Sequence, residues 1–187
     1  MLRHGATEWS RSGQHTGVTD LPLLPEGEQR AREVAGRLAD RHFVDVRVSP
    51  RQRARRTAEL AGLTATAIDD DLVEVDYGGY EGRTTAEISR ELGHEWSLWR
   101  DPVVPGDTPG ETLAQVAARV DRVLARARQR LDDGDVALVA HGHVLRILTA
   151  RWLGLGPEAG ALFALPAGAY GVLGHEHDRP VLTGWGL

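Results

Sequence analysis

The 187-residue sequence contains no cysteine, no lysine and no asparagine. Without cysteine, the chain has no disulfides, no thiolate nucleophile and no Cys-ligated zinc or iron–sulfur centre. Because all 22 basic residues are arginine, Schiff-base lysine chemistry and a P-loop lysine are also excluded. Without asparagine there is no acceptor for N-glycosylation.

The charge balance and the hydrophobic pattern limit the partners. The 22 basic and 27 acidic residues give a net charge of −5, whereas binding to a nucleic acid or an anionic membrane surface needs a basic face. No run of 18 apolar residues and no apolar leader is present, so we expect a cytoplasmic protein. The length fits one domain over residues 1–187.

Apolar spacing along the chain predicts alternating strands and helices. Helices are expected at residues 25–40, 50–61, 85–92, 111–131 and 144–153, strands at 43–48 and 136–140, and one or two short strands near the C-terminus. In the second helix, Ser49 is the expected N-cap and Pro50 the first residue. The order predicts an α/β three-layer sandwich, in which a mostly parallel central sheet is covered by helices on both faces.

Residues 94–110 form a long loop between two of these predicted helices. The segment contains Trp96 and Trp99, is rich in proline and glycine, and shows little periodicity. Long loops of this kind are more often functional than accidental, so we expect a lid.

Polar clusters follow three of the expected strands. They are Arg3-His4-Gly5, residues 49–53 and His141-Gly142-His143. Ligands of open α/β sheets bind beyond the carboxyl ends of the strands, so these clusters should share one edge.

The residue types in these clusters suit phosphoryl transfer. The planar guanidinium group of arginine forms paired hydrogen bonds to phosphate oxygens, and histidine offers a nitrogen nucleophile near neutral pH. Two alternatives stay open: His141 could be a buried core histidine, and His4, His141 and His143 could ligate a metal in a hydrolase.

Six motifs resemble those of the histidine phosphatase superfamily, also called phosphoglycerate mutase-like, in that family's order and spacing. They lie at residues 2–10, 16–23, 49–58, 72–82, 109–112 and 139–142. The resemblance covers nearly the whole chain. Only Met1 and Leu2 precede Arg3, so two alternatives stay open: the natural protein begins upstream of Met1, or the first strand is very short and holds His4 loosely.

The resemblance implies a role for each matched position. His4 would be the phosphorylated nucleophile, and Glu74 the general acid and then the base. The phosphoryl oxygens would be held by Arg3, Arg53 and His141, with Gly142 beside them. Ser10, Thr16, Gly17 and Tyr77 would line the substrate pocket. No metal and no cofactor are expected. Dimers are common in the family, so a homodimer stays open.

Both hydrolases and mutases belong to this superfamily. Mutases carry basic residues just after the glutamate, where this chain has Val75 and Asp76, and the aspartate should repel a second anionic group. Residues 77–82 resemble the broad-specificity acid phosphatase branch. We therefore expect a phosphatase for small organic phosphates, with a cofactor-dependent phosphoglycerate mutase as the alternative. A second alternative is not an enzyme: a module on the same fold that binds a phosphate ligand without catalysis.

The substrate itself is harder to predict. An apolar rim over the phosphate pocket would favour sugar or aromatic phosphates, and packing of the same residues into the core is an equal alternative. The residues concerned are Leu21, Leu24, Tyr77, Tyr80, Trp96 and Trp99.

Overall fold

A computed structural model describes all 187 residues. Four parallel strands form the central sheet in the order β1-β4-β2-β3. Their bounds are Leu2–Arg3 (β1), Phe43–Val48 (β2), Ala67–Ile68 (β3) and Asp135–Ala140 (β4). A separate antiparallel hairpin follows at the C-terminus, with β5 at Val172–Glu176 and β6 at Arg179–Gly184. The expected three-layer α/β architecture is confirmed.

Six α-helices surround the sheet. They are Glu8–Ser12 (α1), Pro25–Leu38 (α2), Gln52–Leu60 (α3), Thr85–Leu92 (α4), Leu113–Arg128 (α5) and Gly142–Trp152 (α6). Alternate residues of β4 face opposite layers: Ala137 and Val139 pack in the core with α2 and α3, whereas Leu138 and Ala140 pack in the core with α5 and α6. This burial on both faces explains the continuous apolar run of β4.

The boundaries of two predicted helices are corrected. Helix α3 begins at Gln52 rather than at Pro50, and its N-cap is Arg51, because the Ser49 side chain is engaged elsewhere, with a histidine. Helix α5 begins at Leu113 with Thr112 as its cap, in a capping box with Gln115. The short helix α1 and strand β3 were not predicted, since neither is long enough to show an apolar period.

The first strand has only two residues, as expected, yet His4 is not loosely held. The backbone N–H of His4 donates to Ala140 over 2.9 Å, and that of Arg3 donates to Ala169 over 3.0 Å. The strand is therefore held from both sides. None of the helices has the length and apolarity needed to cross a bilayer.

Candidate active site

The three polar clusters meet at the carboxyl edge of the sheet, as the strand order predicts. Arg3 is in register with Ala140, and Val48 with Val139, so His4, His141 and Ser49 leave neighbouring strands side by side. The His4 and His141 rings meet edge to face with centroids 5.1 Å apart.

The orientation of the His4 ring leaves one nitrogen free. Nδ1 donates to the Gly5 carbonyl over 2.7 Å, since a carbonyl can only accept. Nε2 is then the unprotonated nitrogen. Burial, together with the nearby Arg3 and Arg53 guanidinium groups, holds the pKa of His4 well below its usual 6.5. The imidazole is therefore neutral at neutral pH, with the lone pair of Nε2 free.

His141 is fixed by two side chains. Nε of Arg53 donates to its Nδ1 over 3.1 Å, and its Nε2 lies 2.7 Å from Oγ of Ser49. Because Nδ1 accepts, the proton of the neutral ring is on Nε2 and points at Ser49. Burial is the main cause that lowers the pKa of His141 well below 6.5, and the charge on nearby groups adds to it.

Arg53 is fully buried and anchored by the loop over residues 16–19. Its Nη1 donates to Thr19 over 2.8 Å, and its Nη2 donates to Thr16 over 3.1 Å and to Gly17 over 3.3 Å, in each case at the carbonyl. The carboxylate of Glu81 in turn accepts the backbone N–H groups of Gly17 and Thr19. Thr16 and Gly17 thus contribute their backbone to position the arginine.

Arg3 keeps a donor without a partner. Its Nη1 donates to the Leu165 carbonyl over 2.6 Å, whereas its buried Nε has no hydrogen-bond partner. Gly142 lies against this guanidinium: a Cβ built there would be 3.1 Å from Cζ of Arg3. A buried N–H without a partner is costly, so this donor is suited to an anion.

Glu74 lies at the N-terminus of α6. Its Oε2 accepts the N–H of His143 over 2.9 Å, and its Oε1 accepts the N–H of Val144 over 2.9 Å and that of Val75 over 3.0 Å. The side chain is only 7% exposed, so these bonds orient the carboxyl group against the cleft.

A cleft of about 170 Å³ contains most of the predicted site. Six predicted residues line it: Arg3, His4, Ser10, Thr16, Glu74 and Tyr77. The other four, Gly17, Arg53, His141 and Gly142, are buried beside them. Ser10 lines the cleft while its hydroxyl closes a capping box with Thr7 at the start of α1.

Sequence reasoning missed His15 and gave His143 only a metal role. Both line the cleft, and the hydroxyl of Tyr77 lies 2.6 Å from Nδ1 of His143. His15 stands next to the predicted Thr16, which is the one signal that could have identified it. No group of three or more histidine, cysteine, aspartate or glutamate side chains is arranged to hold a metal ion.

The predicted aromatic rim is largely core. Tyr80 and Trp96 are almost fully buried away from the cleft, so for them packing is the correct alternative, whereas Tyr77 is buried and also lines the cleft. Trp99 is partly exposed, and its ring centroid is 5.3 Å from that of His143. Two of the predicted aromatic residues, Tyr77 and Trp99, thus stand at the cleft.

Asp76 does not face the substrate pocket. Its Oδ1 accepts from the N–H of Gly78 over 2.9 Å and from the hydroxyl of Thr108, and its Oδ2 accepts from the N–H of Gly110 over 3.3 Å. The carboxylate of Asp76 therefore links the 94–110 segment to the turn at residues 76–78. Repulsion of a second anionic group by Asp76, expected from the sequence, is therefore not supported by its position.

Comparisons with known proteins give a consistent result. A model of the histidine phosphatase superfamily (branch 1) matches residues 1–187. The chain is 41% identical over 190 residues to an acid phosphatase of Mycobacterium tuberculosis, with 100% of this chain and 91% of that protein covered. It is 40% identical over 188 residues to the sedoheptulose 1,7-bisphosphatase of Saccharomyces cerevisiae, with 84% of this chain and 68% of that protein covered.

A solved structure is similar over the full length. It is that of the product of an open reading frame from Mycobacterium tuberculosis, with a TM-score of 0.92 and 38% identity, and it covers 100% of this chain and 95% of that chain.

Proposed function

The chain is a phosphatase that belongs to the histidine phosphatase superfamily, and we propose that it hydrolyses small organic phosphomonoesters through a phosphohistidine at His4, without a metal ion. The observation that carries this proposal is the His4 tautomer. Nδ1 is committed to the Gly5 carbonyl, which leaves the lone pair of Nε2 free beside two arginines.

In the first step, Nε2 of His4 forms a bond to phosphorus while the bond from phosphorus to the leaving oxygen breaks. The extra charge on the phosphoryl oxygens is stabilised by Arg3, Arg53 and His141. Glu74 supplies the proton that the leaving oxygen needs. The Nε–H of Arg3 has no protein partner, which supports the proposal that Arg3 binds a phosphoryl oxygen.

In the second step, water attacks phosphorus and the bond to Nε2 breaks. Glu74, now a carboxylate, takes the proton from that water, and inorganic phosphate leaves. Proton transfer by a positioned group of this kind typically contributes about 10²–10⁴-fold in rate. The backbone bonds that hold Glu74 against the cleft support this double role.

Rapid quench with ³²P-labelled substrate tests the proposal. We expect acid-labile, base-stable label on the wild type, turnover of p-nitrophenyl phosphate that EDTA does not change, and a loss of at least about a thousandfold in His4→Ala. Wild-type turnover in His4→Ala, or loss of activity on chelation, would contradict it. If the protein isomerises 3-phosphoglycerate faster than it hydrolyses it, the protein is a mutase. If it turns over no phosphate ester at all, it is a binding module.

A further inference from the structure

We propose that the imidazole wall of the cleft, formed by His15, Tyr77 and His143, receives a neutral, hydroxylated leaving group. Preferred substrates are then sugar or polyol phosphates rather than phosphate esters that carry a carboxylate. The inference rests on the proposed function and names the substrate class of the same site.

The three side chains form one continuous surface. The His15 ring lies 4.7 Å from that of Tyr77 and 6.0 Å from that of His143, measured between centroids. Trp96 packs 5.3 Å from the His15 ring, and Trp99 lies 5.3 Å from the His143 ring. The wall is therefore supported by aromatic side chains and held in place.

Both imidazoles of the wall are neutral at pH 7. Burial lowers the pKa of His15 to about 4, and burial together with nearby positive groups lowers that of His143 well below 6.5. Burial also raises the pKa of Tyr77 well above 10, so its hydroxyl stays protonated. The wall thus presents hydrogen-bonding groups without charge.

Each ring keeps one nitrogen without a protein partner. The Tyr77 hydroxyl pairs with Nδ1 of His143 over 2.6 Å, which leaves Nε2 of that ring without a protein partner. Nε2 of His15 pairs with the Thr85 hydroxyl over 3.2 Å, so its Nδ1 is unpaired. A hydroxyl group can both donate and accept, and it suits two such nitrogens.

No cation is available there for a second anionic group. Arg3 is the only arginine that lines the cleft, and we assign it to the phosphoryl oxygens. Arg146 acts on His143 from outside the cleft, but its Nε and Nη2 donate to the carbonyls of Gly160 and Ala161 and it stacks over Trp99. A carboxylate would lose hydration here without gaining a cation in return, so it is disfavoured.

A matched pair of substrates tests the inference. Glycerol 3-phosphate and 3-phosphoglycerate differ only by a hydroxymethyl group in place of a carboxylate. We expect kcat/KM at pH 7 to be at least about tenfold higher for glycerol 3-phosphate, a difference of about 1.4 kcal/mol. An equal or higher value for 3-phosphoglycerate overturns the inference while p-nitrophenyl phosphate turnover leaves the proposed function intact. If p-nitrophenyl phosphate is not hydrolysed either, the proposed function fails and the inference with it.

Variants of the wall assign the preference to these residues. We expect His143→Leu and His15→Leu to reduce the glycerol 3-phosphate to 3-phosphoglycerate ratio at least about fivefold. His143→Gln keeps a side-chain donor and should retain most of it. The control His42→Leu removes an exposed histidine that makes no side-chain hydrogen bond, and should leave the ratio unchanged. An unchanged ratio in both leucine variants, with wild-type Tm, overturns the role of the wall.

Discussion

The Nε of Arg53 donates to Nδ1 of His141 over 3.1 Å, and both side chains are completely buried. In the free enzyme this contact makes Nδ1 an acceptor. In the proposed mechanism a phosphoryl oxygen accepts from Nδ1, so the proton has to change nitrogen. The Ser49 hydroxyl can follow this change, because it accepts from Nε2 in one tautomer and donates to it in the other.

Replacing Ser49 by alanine should therefore affect both stability and catalysis. Ser49→Ala leaves Nε2 of a buried imidazole without a partner, which is expected to lower the free energy of unfolding by about 1–3 kcal/mol. We also expect kcat to fall about tenfold, because the phosphate-binding tautomer of His141 loses its partner. Urea unfolding and steady-state kinetics measure the two effects. Ser49→Thr retains the hydroxyl and serves as control, and wild-type values for Ser49→Ala would disprove the tautomer change.

Glu74→Gln should separate substrates by their leaving groups. An alkyl phosphate needs a proton on the departing oxygen, whereas p-nitrophenolate leaves without one. We expect kcat to fall about 10²-fold or more for glycerol 3-phosphate and less than about tenfold for p-nitrophenyl phosphate. Equal losses would remove Glu74 from the acid role. Because the amide nitrogen would face a backbone N–H of α6, unfolding has to be measured in parallel.

Gly142→Ala should weaken anion binding without unfolding the chain. The added methyl group would lie 3.1–3.4 Å from three atoms of the Arg3 guanidinium, which must shift by a few tenths of an ångström. Gly142 begins α6, where alanine is a good helix former. We expect the inhibition constant of vanadate to rise about tenfold while Tm stays within about 2 °C of the wild type. A tight vanadate complex in this variant would mean that Arg3 does not hold the anion.

Stability should fall as the pH drops below about 6.5. The buried imidazoles of His4, His15, His141 and His143 have lowered pKa values in the folded state, so only the unfolded chain takes up their protons between pH 6.5 and those values. Each can remove up to about 1.4 kcal/mol per pH unit in that window. Urea unfolding from pH 7.5 to 5 measures the slope, and His143→Gln should reduce it. A flat profile over this range would contradict the neutral, buried imidazoles.

Activity, unlike stability, should change little at mildly acidic pH. The lowered pKa of His4 keeps its nucleophilic nitrogen unprotonated well below pH 6.5. Turnover of p-nitrophenyl phosphate at pH 5.5 is therefore expected to stay within a few-fold of its value at pH 7 as long as the chain remains folded. A loss that follows a single protonation near pH 6.5 would show that His4 titrates like an exposed histidine.

The sequence by itself determined the architecture and which polar clusters meet at one edge of the sheet. Apolar periodicity is a local property, so β2, β4 and helices α2 to α6 could be predicted within a few residues, and strand order then placed His4, Ser49 and His141 at one edge. Short elements without a period, such as β3, could not be found in this way. The position of Ser49 also depends on a distant partner, and this explains its wrong assignment as a helix cap.

Only the tertiary structure decided how these residues act on one another. The Arg53–His141 contact joins positions 88 residues apart, and the bond from the N–H of Val144 to Glu74 joins positions 70 residues apart. Asp76 faces the 94–110 segment instead of the substrate, and His15 meets His143 through Tyr77. Such contacts depend on side-chain direction and on the packing of separate layers, and local sequence patterns do not specify either.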